Sequence, residues 1–424
     1  MTSLAVRLYG RHVATLTQNR SGRHVIEYAP EYTGPPLSSR MPTVGGVFRH
    51  ATVEPFIDGL LPDNPAVRDA DGRRFGVSGR NPYALLTHMG LDCAGAVQFY
   101  PEDQPWPHRG GDLRPVSHTE ISERLALIRT DATQSQIVVG ESRSLAGWQP
   151  KIALRLKPDG SWAVAEQDAA STHIVKPGVT GLRLEALTEH VTMAAAALCG
   201  LPAAVSSYAD FEGQAAIIVE RYDRMTHADG TVSRIHQEDF CQALSITPTR
   251  KYEFQGGPGA AAMFTLLRGL HIPSAEEMFA RYLAFSYVCG ASDSHAKNFS
   301  ILIQPDSSFA LAPLYDCATI LYYRPRDGRH PHAFALSVGG ERVLGQVTDR
   351  HWATLATTAH IDPDMMIGFV HDYAQIVPDA FHDVFDTLPK SVTQDMPDTI
   401  MAGLTRLCWS VLNSRPWEAA PATG

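Results

Sequence analysis

Cysteine is scarce in this chain, and long apolar runs are missing. The six cysteines, Cys93, Cys199, Cys241, Cys289, Cys317 and Cys408, are scattered and form no CxxC pair. That argues against a disulfide scaffold and against a structural zinc site. The expectation is reduced, mostly buried thiols in a cytoplasmic protein. No apolar stretch approaches the ~20 residues that span a bilayer, so no membrane role is expected. The opening MTSLAVRLYG lacks the basic-then-apolar order of a signal peptide. Positive charge is also short: 36 Lys and Arg against 45 Asp and Glu leave a net charge of −9. Proteins that grip nucleic acid through their own surface are usually basic, so such a role is disfavoured. One local basic cluster, Arg68, Arg73, Arg74 and Arg80, reads as a solvated face. No internal repeat or low-complexity segment occurs.

What is present is an ordinary globular composition, 44% apolar and 19% charged. At roughly 150 residues per domain, 424 residues suggest two or three domains with ample core. LAVRLYGRHVATLTQ (4–18) alternates apolar and polar residues around Gly10 and predicts a β-hairpin. VIEYAPEY (25–32) continues the β character. A short apolar helix is expected around FIDGLLP (56–62), and another from Pro82 to Met89. The Pro-, Gly- and charge-rich PEDQPWPHRGGDLRP (101–115) marks a boundary. Beyond it QIVVG, KIALRLK, WAVAE, THIVKP, AAVSSYADF and AAIIVERY read as strands, with one helix over 182–200 ending at Gly200. From 236 onward the chain reads as helical, interrupted by NFSILI and FALAPLYD. The divisions predicted are 1–110, 111–222 and 223–424.

The chemistry concentrates in CGASDSHAKNFSIL (289–302). Asp293 and Asn298 stand five apart, the D-x-x-x-x-N spacing of a kinase catalytic loop. Such a loop aims one carboxylate at a hydroxyl and sets an amide oxygen on magnesium, and Lys297 between them could reach a γ-phosphate. Alone the spacing is weak, and a surface Asx turn is the plainer reading. A second acid, Asp316, expected at the end of an apolar strand, falls one hairpin later, where kinases keep a magnesium ligand; taken singly it could be a helix N-cap. Lys176 closes a β-type segment, as a phosphate-pairing lysine would. Glu185 and Glu189 follow on one helical face and either could pair with it, against the plainer reading of a solvated acidic face. ESRSLAGWQPK (141–151) could turn backbone N–H groups toward phosphates. AIIVERY precedes the switch from β to α texture, as a hinge would, with Glu220, Arg221 and Tyr222 offering backbone groups to adenine; a core strand with a charged end is the alternative.

Taken in order, SLAGWQPK, THIVKP, VERYDR, HQEDFCQAL, KYE, SDSHAKNFSIL and LAPLYD resemble the HipA family, the serine/threonine kinase toxins of type II toxin–antitoxin systems. LYGRHVATLTQN, LSSRMP, FIDGLLPDN and ALLTHMGLDCAGAVQF are similar to that family's N-terminal subdomain, so the likeness runs from about residue 4 into the C-terminal helices. The resemblance implies an α+β, bilobal protein-kinase-like fold, with a β-rich N-terminal subdomain and N-lobe and a helical C-lobe. It implies catalytic Asp293, with Lys297 and Asn298; magnesium ligands Asn298 and Asp316; and Glu189 as the partner of Lys176. ATP contacts are implied at Ala146, Gly147, Lys151, Lys176, Glu220, Arg221, Tyr222, His295, Asn298, Tyr315 and Asp316. Ser144 falls where the family autophosphorylates, and a phosphate there would repel those of ATP. The implied partners are a HipB-like helix-turn-helix antitoxin, operator DNA reached only through it, and an aminoacyl-tRNA synthetase target, most often the glutamate enzyme. Two departures stand out: Trp148 replaces a small residue of the phosphate loop, and ASDSH, with Ala291 and Ser292, replaces the usual G-N-x-D-x-H. Neither removes a group that catalysis needs. Two alternatives from other classes are a catalytically silent, antitoxin-binding co-repressor and a small-molecule kinase on the same fold.

Overall fold

The computed structural model describes residues 3–107, 111–134, 144–323 and 332–417. The alternating N-terminal segments form β1 (Leu4–Leu8) and β2 (Arg11–Gln18), paired antiparallel across Tyr9 and Gly10, which both take left-handed φ as a tight hairpin requires. β3 (His24–Tyr28), β4 (Val47–Arg49) and, after three helices, β5 (Val97–Pro101) complete a sheet of order β4-β3-β2-β1-β5. The helices are α1 (His50–Gly59), α2 (Pro65–Phe75) and α3 (Pro82–Met89). The helix expected over 56–62 therefore begins earlier and ends at Gly59, because Val53, Phe56 and Ile57 form the apolar face that seals Leu4, Val6 and Leu16. α2 and α3 both open on Asn-Pro: Asn64 and Asn81 cap with their carboxamide oxygens, and the prolines give up no N–H that the helix would use.

Next come β6 (Leu113–Val116), α4 (His118–Thr130), β7 (Ile152–Leu156), β8 (Trp162–Ala165), β9 (His173–Pro177), α5 (Glu185–Leu198), β10 (Ser206–Phe211) and β11 (Gln214–Glu220). The strands form a second sheet, β10-β11-β9-β7-β8-β6. Ile121, Leu125 and Ile128 of α4 close its core against Ile152, Leu154, Val164 and Val175. The strand expected at QIVVG (136–140) lies outside the described residues. Strands continue past the expected switch, as β12 (Arg224–Thr226), β13 (Val232–Arg234) and β14 (His236–Asp239). Helices α6 (Phe240–Ala243), α7 (Ala260–Gly269) and α8 (Ala275–Val288) follow. β15 (Ser300–Ile303) and β16 (Phe309–Leu311) return to β14 in the order β14-β15-β16. A hairpin of β17 (Ala333–Val338) and β18 (Glu341–Val343) precedes α9 (Asp349–Ala359), α10 (Pro363–Asp386), α11 (Lys390–Thr393) and α12 (Met396–Leu412).

Two compact units result, and neither is contiguous in sequence. The first holds residues 1–183, 207–249 and 300–310; the second holds 184–206, 250–299 and 311–424. In the second, α10 packs on α5, α8, α9 and α12, around fully buried Tyr282, Phe285, Trp352 and Phe381.

The first unit carries a buried ion network. Arg221 grips Asp223 through two nitrogens (3.0 and 2.9 Å) and donates to Ser171 Oγ and the Cys93 carbonyl. Arg224 pairs with Asp92 at 2.9 Å. Burial alone would raise the Asp92 carboxyl, but Arg224, Arg221, Arg234 and the Ser171 hydroxyl hold it well below the usual carboxylate range. Nearby, Glu238 accepts from Ser38 Oγ and from the Ser39 amide, and burial pushes its carboxyl up to about 7 against those bonds.

Candidate active site

α8 ends at Val288, and Gly290 turns the chain with φ of 71°. The next loop folds on itself. Ser294 Oγ donates to the Ala291 carbonyl (3.0 Å), and the His295 amide donates to the Asp293 carbonyl (2.8 Å). Asn298 Nδ2 reaches back to the same Asp293 carbonyl at 2.9 Å. The five-residue spacing thus has a mechanical cause: the asparagine clasps the aspartate's backbone, and its Oδ1, spent on none of these bonds, is available as an acceptor. Lys297, Asn298 and His295 are buried along this turn, and Tyr315 donates its hydroxyl to the Lys297 carbonyl (2.8 Å).

Asp293 remains open, with a side chain 64% exposed. Tyr252 donates its hydroxyl to Asp293 Oδ1 at 2.8 Å, and its ring stands edge-on to His295 with centroids 4.7 Å apart. The other oxygen, Oδ2, lies 3.9 Å from His295 Nε2. Surrounding protein pushes the Asp293 carboxyl up to about 6; the Tyr252 bond pulls it down, and the charge of Asp316 pushes it up again. Because water reaches the carboxylate directly, the upward direction is what the chemistry uses. Asp293 is then ionised at neutral pH while staying basic enough to take a proton.

Asp316 does not end a strand, as the sequence suggested. β16 stops at Leu311, and the following segment is held by Leu314, whose amide donates to Pro202 O and whose carbonyl accepts from the Ala204 amide, both 2.9 Å. Asp316 itself adopts left-handed φ of 54°. Asp316 lies near enough to Asp293 for its charge to raise that carboxyl, and a carboxylate and an amide oxygen are the hard donors that a small divalent cation takes. On α5, Glu189 is buried at 2% exposure and Glu185 half-buried at the first turn.

The remaining expected residues belong to the first unit. Ser144 is fully buried; its Oγ donates to Leu60 O (2.7 Å) and its amide to Asp92 O (3.2 Å). The Asp63 amide donates to Gly147 O (3.0 Å), so this loop is fastened to the connection that follows α1. Arg68 secures that connection, pairing with Asp58 and donating to Pro62 O. It is half-buried and so leaves the solvated cluster expected for it, unlike exposed Arg73, Arg74 and Arg80. Lys151 donates to Ala146 O (2.9 Å) and passes over Gly147, where φ is 106° and a Cβ would meet Lys151 Nζ at 2.8 Å. Trp148 points outward, 60% exposed. Lys176 is buried on β9 opposite Ile217. Glu220 ends β11 exposed. Both Arg221 backbone groups are engaged, the amide with Thr172 O and the carbonyl with the Arg224 amide, and Tyr222 donates to the Gln237 side chain.

Sequence reasoning quoted Tyr252 only within KYE and Asp63 only within FIDGLLPDN, gave neither a role, and read Arg68 as part of a solvated face. The Asn64-Pro65 cap that follows residues 60–63 was the available signal for that connection. Among the described residues one set of side chains could converge on a metal: His24, His50 and Glu54. Its hydrogen bonds point elsewhere. Asn81 Oδ1 accepts the Ala84 amide, so its Nδ2 donates to Gln18 Oε1 and Gln18 Nε2 donates to His24 Nε2. His24 Nδ1 and Glu54 stand in ion-pair contact, and His50 Nδ1 lies 3.6 Å from the same carboxylate oxygen.

An acidic loop residue poised beside an asparagine and a second aspartate, on a mixed α/β scaffold, defines a protein-kinase-like phosphotransferase. The HipA-like C-terminal domain model matches residues 143–381, and the HipA N-terminal domain model matches 4–100. The chain belongs to the HipA family. The Y4mE protein of Sinorhizobium fredii is 35% identical over 362 residues, covering 83% of this chain and 84% of that one. The serine/threonine-protein kinase toxin HipA of Shewanella oneidensis is 28% identical over 382 residues, 86% of this chain and 84% of that one. A solved Shewanella oneidensis HipA, in complex with HipB and operator DNA, superposes with a TM-score of 0.81 at 26% identity, covering 97% of this chain and 99% of that one.

Proposed function

We propose that this chain transfers the γ-phosphoryl group of ATP to a serine hydroxyl of a protein, with Asp293 as the group that receives the hydroxyl proton. The observation that carries this is the division of labour on one carboxylate. Tyr252 occupies Oδ1, Asn298 fixes the backbone, and Oδ2 belongs to an open side chain whose basicity is raised by its surroundings. A serine hydroxyl donating to Oδ2 would be oriented for attack and would lose its proton there. Asn298 and Asp316 would hold magnesium, which when bound neutralises phosphate charge. Lys176, with Glu189 as its partner, and Lys297 would pair with phosphates. Ala146, Gly147 and Lys151 would line the phosphate loop, and His295 and Tyr315 would shape the nucleotide site. With Arg221 already bonded, adenine would be read by the backbone of Glu220 and Tyr222.

Ser144 is the expected autophosphorylation site. Its hydroxyl faces inward, so modification requires the loop to leave first. A phosphate of charge about −2 could not return to that buried position without partners. The cellular target is proposed to be an aminoacyl-tRNA synthetase, the glutamate enzyme before others, whose phosphorylation would arrest translation and growth. A HipB-like antitoxin is proposed as partner, because the Shewanella relative is seen with HipB and operator DNA. The net charge of −9 fits DNA contact made through that partner.

Incubation with radiolabelled ATP tests the chemistry: wild type should label itself and Asp293→Gln should not, by a factor of at least about 10². Labelling of the variant at the normal rate would overturn the assignment. Mass spectrometry after induction should find phosphoserine on a synthetase. A phosphorylated metabolite instead would make this a small-molecule kinase, and no new phosphate anywhere would leave a silent antitoxin-binding protein.

A further inference from the structure

Tyr252, whose hydroxyl fixes Asp293, opens a tight turn. Its carbonyl accepts the amides of Gln255 and Gly257, both at 3.0 Å, and the Glu253 carbonyl accepts the Gly256 amide at 2.9 Å. Residues 252–257 are therefore tied together as one piece, and the anchor of that piece decides where the Tyr252 hydroxyl points.

Two bonds to β17 hold the two sides of the Tyr252–Asp293 contact. The Ala335 amide donates to the Ser292 carbonyl at 2.8 Å, and the Ser337 amide donates to Glu253 Oε2. Alternate amides of a strand leave it on the same side, roughly 6.6 Å apart. Ser292 is the residue before Asp293, and Glu253 is the residue after Tyr252. One strand edge thus grips the contact from both ends. The first bond joins backbone to backbone, whereas the second depends on a single carboxylate. That carboxylate is also confined from behind. Gly259 precedes α7, and a Cβ there would meet Glu253 Oε1 at 2.7 Å. Glu253 therefore lies against the N-terminus of α7, where negative charge is favoured.

We propose that Glu253 is a positioning residue for phosphoryl transfer: it holds the 252–257 turn on β17 so that Tyr252 meets Asp293 Oδ1. The inference rests on Asp293 being the base of a protein kinase. Without the carboxylate the turn loses its bond to β17, while the Ser292–Ala335 bond still holds the catalytic loop. The tyrosine and the aspartate then part without unfolding.

A cycle of Glu253→Ala and Tyr252→Phe in the full chain tests this, read as the maximal rate of self-labelling from radiolabelled ATP. Glu253→Ala should lower that rate about fivefold, within the worth of one hydrogen bond, and leave the half-saturating ATP concentration unchanged. Tyr252→Phe has already lost the contact, so adding Glu253→Ala to it should cost almost nothing further. Glu253→Gln keeps an acceptor for the Ser337 amide and should restore most of the rate. Gly259→Ala displaces the carboxylate without removing it and should resemble Glu253→Ala. An equal loss from Glu253→Ala in both backgrounds, no loss in either, or a Glu253→Gln as slow as Glu253→Ala overturns the positioning role alone. Failure of wild type to label itself, or normal labelling by Asp293→Gln, overturns the protein-kinase reading, and the role of Glu253 with it.

Discussion

Tyr252 spends its hydroxyl on Asp293 although water could satisfy both groups, and that bond fixes one carboxylate oxygen so that the other is presented in a single orientation. Replacing Tyr252 with Phe should lower kcat on the order of tenfold, with the KM for ATP and the melting temperature little changed, as steady-state kinetics and calorimetry would measure. Gly147 is a second such point. A Cβ at φ of 106° would strike Lys151 Nζ, so Gly147→Ala should displace that lysine and raise the KM for ATP several-fold while the fold persists. An unchanged KM would remove Lys151 from the nucleotide site. Asp293 and Asn298 were legible in the sequence because each is the other's partner across five residues. Tyr252 was not, because its partner lies 41 residues away and only the folded chain pairs them.

Among elements, the helices that sequence texture passed over, α2 and α4, carried plain terminal signals. Asn64-Pro65 opens the first, and Ser117, whose Oγ accepts the Glu120 amide, opens the second. Their weak apolar stripes hid them. The strands of the second sheet were legible as β-type runs except β6, which falls in the Pro- and Gly-rich segment read as a boundary, and β12 and β13 were hidden by Arg224 and Arg234, which the ion network consumes. Asp92→Asn would leave Arg221 and Arg224 buried with one anion fewer, and should cost about 3–5 kcal/mol in urea unfolding. Glu238 on β14 predicts a pH effect. Its carboxyl is raised from 4.5 to about 7 in the folded chain, so between those values the native state binds the extra proton and stability falls as pH rises. Glu238→Gln should flatten that slope, measured as the difference in unfolding free energy between pH 5 and pH 7.5. An equal slope in both chains would relocate the effect elsewhere.

At the scale of the molecule, the division into two units was the least legible feature, because texture along a chain cannot show that residues 300–310 return to a unit begun at residue 1. A chain cut after Phe299 lacks β15, whose residues Ser300–Ile303 pair with His236–Asp239. Such a fragment should be degraded by trypsin far faster than the full chain, and comparable resistance would mean that the first unit closes without its last strands. The interleaving also sets a schedule for synthesis. The strand that completes the first unit emerges from the ribosome after residues 289–299 have already been made, so the segment 144–151 belongs to an unfinished scaffold until nearly three quarters of the chain exists. A nascent chain therefore stays incomplete in its first unit for most of its own translation.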